Sequence, residues 1–214
     1  SLEFHHPEQF GPAIDTLQSR GPEVFHRIER TLAVDDMPTV EVWVVPRVAD
    51  YFELHDRPMS APKWAVGLSF SSQQTVVVAA GGQRPPREVM RTFAHELAHV
   101  GVDVARENHP VPRWFHEGFA VWQADEWTPD RSVRLAESAA AGDLHGFSQL
   151  RDGFPSHHQR ASLAYDQSFH FVRWLAHEHG DDFWERVFEG IRSGVAFREA
   201  VERESDRTFA ELEA

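Results

Sequence analysis

Val89, Met90, Phe93, Leu97 and Val100 recur three or four residues apart, the spacing that lines one face of a helix with apolar side chains. Pro86 suits a first helical turn and Glu88 favours its positive end, so the helix is predicted to begin near residue 86. His95, His99 and Asp103 make a separate polar stripe at i, i+4 and i+8 on the same helix. Ahead of it, β-branched and apolar runs predict strands at 39–46, closed by Pro46, at 64–70 and at 75–80, the last two joined by the polar link 71–74. A small, mostly antiparallel sheet is expected from them. Beyond the helix the period is helical throughout. A second helix should begin near Arg113, after Pro110 and Pro112. Further helical stretches cover 135–144 and 147–150, 164–175 with a stop at Gly180, then Phe183 to Ile191, Phe197 to Val201, and 209–214.

The fold class that follows is α+β: an N-terminal helix and sheet over 1–85, two central helices over 86–127, and a helical lobe over 128–214, read as one domain. With 214 residues, 41% of them hydrophobic, the chain can bury an ordinary core. Its apolar runs are far too short for a membrane span. The net charge is −13, with one lysine against twenty arginines, which argues against nucleic-acid binding. With no cysteine, thiolate metal sites and disulfides are excluded. No signal peptide is visible, although a removed one would leave no trace. The serine start and the helical pattern broken off at Ala214 fit an excised domain or a processed form.

The polar stripe is where chemistry enters. In His95-Glu96-Leu97-Ala98-His99 two imidazoles four residues apart share a helical face and can hold one metal ion, the arrangement of zinc hydrolases. Glu96 sits next to the first histidine, placed to act as general base on a water at that metal. A chain with fourteen histidines would produce the pattern by chance roughly 0.08 times, so a third ligand has to carry the assignment. The metzincin register H-E-x-x-H-x-x-G-x-x-H fails, because it would place Val102 at the glycine and Ala105 at the ligand. Glu117, on the second helix, is the better candidate. Trp114, Phe115, Phe119, Ala120 and Val121 surround it, and a carboxylate in such company needs a partner such as a divalent metal. His116 points about 100° away from it on an ideal helix, so the two do not readily serve one metal.

The W-x-x-E-G-x-A pattern from Trp114 to Ala120, with seventeen residues between His99 and Glu117, resembles the peptidase MA-like gluzincins. The W-A-V-G segment at 64–67 and the A-Y-x-x-S helix at 164–168 are similar to the same family, so the resemblance spans roughly residues 35 to 212. It implies a zincin-like fold, Zn²⁺ held by His95, His99 and Glu117, and cleavage of peptide or protein substrates with Glu96 as the base. It also leans towards an exported protein. No group that would capture a chain terminus is evident, which favours endopeptidase action. Tyr165 is the expected hydrogen-bond donor to the developing oxyanion, with His157, His158 and His170 as weaker alternatives. Asp103 is either a second partner for a ligating imidazole or the solvated end of the stripe. Extended substrate is expected to pair with an edge strand, for which 76–80, running into Gly81-Gly82, is the candidate; the alternative is that this is an ordinary central strand. Two rival functions stand beside the peptidase. One is a zincin-fold binding or scaffold protein. The other is a zymogen whose N-terminal segment before Glu41 blocks the cleft, with His5 and His6 on the metal, or simply on a surface strand or a tag-like leader. Nothing in the residues specifies an oligomeric state.

Overall fold

The computed structural model describes residues 1–55, 62 and 64–213. They form two compact units, Ser1–Glu29 with Val34–Val104, and Arg30–Ala33 with Ala105–Ala214.

The first unit is built on a four-stranded sheet. β1 (Leu2–His5) leads through α1 (Gly11–Thr31) to β2 (Val40–Val45), and α2 (Val48–Leu54) leads on to β3 (Gly67–Phe70) and β4 (Thr75–Ala79). The order across the sheet is β1-β2-β4-β3, with β1 and β4 both parallel to β2 and only β3 antiparallel to β4. The expectation of a mostly antiparallel sheet is therefore corrected to a mixed one. Parallel neighbours need a crossover connection, and α1 supplies one between β1 and β2. Only the short link at 71–74 turns directly back to make a hairpin. β1 was not predicted as a sheet strand, since four residues carry too little pattern. It realises the surface-strand reading of His5, whose ring stacks on Trp43 at 4.3 Å.

Alternation along the strands divides the two faces. Trp43 and Val45 of β2, Val77 and Ala79 of β4 and Leu68 and Phe70 of β3 pack with Tyr51 and Phe52 of α2. Val42, Val44, Val76 and Val78 take the opposite side and are fully buried. On that side lies α3 (Pro86–Ala105), which begins where the proline and the acidic first turn predict. Its apolar stripe, from Val89 through Phe93 and Leu97 to Val100, is buried, while His95, Glu96, His99 and Asp103 remain half-buried. β4 is buried at all five residues, as a strand covered on both faces must be.

The second unit is helical. It comprises α4 (Arg113–Gln123), α5 (Pro129–Ala141), α6 (His158–His179), α7 (Phe183–Arg192), α8 (Phe197–Ser205) and α9 (Phe209–Glu213). Ala214, the last residue of the predicted terminal helix, lies outside the described residues. α4 starts at Arg113, as predicted, and its first N–H groups are satisfied from outside the helix: Arg113 and Trp114 donate to the carbonyls of Arg151 and Leu150. Phe115, Phe119, Trp184 and Phe188 fill the core as a fully buried cluster, with Phe115 and Trp184 ring centroids 4.5 Å apart. α5 buries no residue of its own. It is tied to α6 by Arg131 and Arg134, which both pair with the fully buried Asp166. Among the described residues no helix is long and apolar enough to cross a membrane.

His145 is a buried histidine whose charge state is legible from its partners. One ring nitrogen, Nδ1, faces Arg160 Nη2 at 3.2 Å, a group that can only donate, so Nδ1 must carry a lone pair. Nε2–H then donates to the Arg160 carbonyl at 3.1 Å, and the imidazole is neutral. Burial, with the Arg160 charge adding to it, holds its pKa below the ordinary value. The folded state therefore binds this proton less readily than the unfolded chain. Its contribution to stability is complete above about pH 6.5 and is lost as the pH falls from there through the folded value. Thermal melts between pH 7.5 and 5 should show Tm falling with pH, and His145→Gln should show a smaller fall over the same range.

Candidate metal centre

α3 carries His95 and His99 one turn apart because the helix runs unbroken from Pro86 to Ala105. Their rings meet edge to face with centroids 5.0 Å apart. Glu117 is buried at 1% exposure on α4, in the aromatic surroundings expected of it. One of its carboxylate oxygens pairs with Arg113, one turn earlier on the same helix. That partner was not foreseen, although an i,i+4 Arg–Glu spacing is visible in the sequence. His95, His99 and Glu117 each offer one ligand atom, and these atoms lie within 4.8 Å of one another, a group that could hold a metal ion. Two imidazoles and one carboxylate are a donor set that suits a divalent metal such as zinc and leaves a coordination position for water.

The remaining candidates are placed as follows. Glu96 is half-buried on α3 next to His95. Asp103 ends the stripe, also half-buried. Tyr165 is half-buried on α6, its ring set edge-on to Phe154 at 4.9 Å. Three residues further along α6, the Ser168 carbonyl receives α4 at close quarters. A Cβ on Gly118 would overlap that carbonyl and stand 2.9 Å from Val172 Cγ2. The glycine of W-x-x-E-G-x-A and the serine of A-Y-x-x-S are thus two sides of one helix crossing. His157 and His158 are exposed at the start of α6, which begins earlier than the helical stretch expected from residue 164, and His170 is exposed further along it. His116 is half-buried on α4 and is not a member of the three-residue group.

The strand expected at the sheet edge needs correction. β4 lies between β2 and β3, so it is central, and the edges are β1 and β3, of which β3 is the one beside β4. Gly81 does permit a close backbone approach, but the backbone is the protein's own. Gly81 N–H donates to the Pro46 carbonyl, which a Cβ there would overlap. Sequence alternation could not distinguish these cases, because a run such as Val76-Val77-Val78 reports burial on both faces and not which neighbours provide it.

An α+β fold whose long helix contributes two histidines to a possible metal group is compatible with a peptidase-like hydrolase. The model of the peptidase MA superfamily matches residues 34–209, and the chain belongs to that superfamily. No curated protein and no solved structure matches it. Superfamily membership points to a peptide or protein as the substrate.

Proposed function

We propose that this chain is a gluzincin-type zinc metallopeptidase that cleaves within peptide chains. His95, His99 and Glu117 are the residues that would hold the ion, and the grouping of these three side chains in a peptidase MA chain is the observation that carries the reading. Bound there, zinc would acidify a water and polarise a substrate carbonyl. Glu96, adjacent to His95 on the helix, takes the proton of the attacking water and returns it to the departing amine. Tyr165 donates a hydrogen bond to the carbonyl oxygen as charge builds on it, an interaction worth about 3 kcal/mol in the transition state. Arg113 pairs with one oxygen of Glu117, which orients the carboxylate. Extended substrate pairs with the outer edge of β3.

The test is elemental analysis joined to a peptide-library cleavage profile. The expected result is one zinc per chain, cleavage of unstructured peptides that a chelator abolishes and zinc restores, and loss of both metal and cleavage in His99→Ala. Absence of bound metal, or cleavage that survives its removal, would overturn the proposal. Stoichiometric zinc without cleavage would instead favour the scaffold reading.

A further inference from the structure

Gly67 opens β3, pairs with Val78 and shares its face of the sheet, the side on which α3 packs. Its φ is not positive, so backbone conformation does not require glycine there. Space does. A Cβ at Gly67 would lie 2.5 Å from Thr92 Cγ2 and 2.8 Å from both Cγ and Oε1 of Glu96, nearer than real Cβ contacts come. The Glu96 side chain therefore lies directly against the backbone of the edge strand. Thr92 closes the slot from the other side and cannot turn away freely, because its hydroxyl accepts a hydrogen bond from Arg84 Nη2 at 2.9 Å. Arg84 is itself anchored by donating from Nη1 to the Ala79 carbonyl at 2.6 Å, at the end of β4. Burial holds its guanidinium below the ordinary pKa. The slot is thus fixed to the sheet at both ends, by Gly67 on β3 and through Arg84 on β4.

We propose that Gly67 is a positioning residue whose missing side chain seats the Glu96 carboxylate against the edge strand, with Thr92 and Arg84 holding the opposite wall. This rests on the peptidase reading, in which Glu96 is the base and β3 aligns the substrate. A base packed against the strand that aligns the substrate stays in register with the bond to be broken, and an error of about 1 Å in such a placement costs about 10²-fold in rate.

The decisive variant is Gly67→Ala in the full chain, assayed for zinc content, Tm, and kcat and KM on a peptide that the parent protein cleaves. Zinc should stay stoichiometric and KM should change little, while kcat falls about 10²-fold. Adding Thr92→Ser, which removes the methyl group that the new Cβ would strike, should restore part of the loss. A kcat unchanged in Gly67→Ala overturns the proposal, as does a loss of activity that only follows loss of folded protein. If the parent protein binds no zinc or cleaves nothing, the functional reading fails separately, and the slot is then read by stability alone. Gly67→Ala should lower Tm by more in the parent than in a Glu96→Ala background, and equal shifts in the two overturn the slot itself.

Discussion

Glu96→Gln should keep zinc bound and lower kcat by about 10³-fold, with Tm and KM close to those of the parent protein. The amide has the shape of the carboxylate, so it fits the same slot between Gly67 and Thr92 and leaves the packing of α3 undisturbed. It carries no charge and cannot accept a proton at neutral pH, so the general-base step is removed by itself. Separating the ligands from the base is what gives this variant its value. In the proposed mechanism His95 and His99 hold the ion, and their loss should empty the site. Glu96 in that mechanism moves a proton, and its loss should leave the site full and idle. Elemental analysis and steady-state kinetics on the same preparation check both halves. Full activity in Glu96→Gln would remove the proposed mechanism.

The second large effect is on stability. Gly118→Val should destabilise the protein by about 3 kcal/mol or more, lowering Tm by roughly 6–12 °C, and should weaken metal binding at the neighbouring Glu117. On an exposed helix, replacing glycine by alanine gains about 1 kcal/mol, and valine gains less. Here that gain is overwhelmed, since the first carbon added would overlap the Ser168 carbonyl and press on Val172. α4 and α6 can separate only by disturbing their buried aromatic neighbours, among them Phe115, Phe119 and Phe169. Thermal and urea melts give the stability change, and the zinc affinity of the folded variant gives the displacement of Glu117. A Gly118→Val protein as stable as the parent would show that the two helices are not held at this distance.

Much of the candidate site was legible in the sequence because its determinants are local. The stripe of His95 and His99 follows from helical period, and the helix from Pro86, Glu88 and a regular apolar face. The start of α4 at Arg113 follows from Pro112, and the burial of Glu117 from the aromatic residues within four positions of it. Gly118 illustrates the limit. The family pattern carries it, yet nothing within α4 says why a residue with a side chain would not serve. The answer lies on α6, fifty residues away.

The sequence by itself determined that β2 and β4 are extended and that α3 and α4 are helical, which face of α3 is apolar, and that two imidazoles and a carboxylate share one short helical stretch. These depend on rotation per residue and on side-chain type, which are fixed over a few positions. Tertiary structure alone decided strand direction and order, the exchange of edge and central roles between β3 and β4, and the steric need for Gly67 and Gly118. Periodicity states that a surface must be covered but not by what. The covering neighbour is chosen by contacts between residues far apart in the chain, and these exist only once the whole fold has formed.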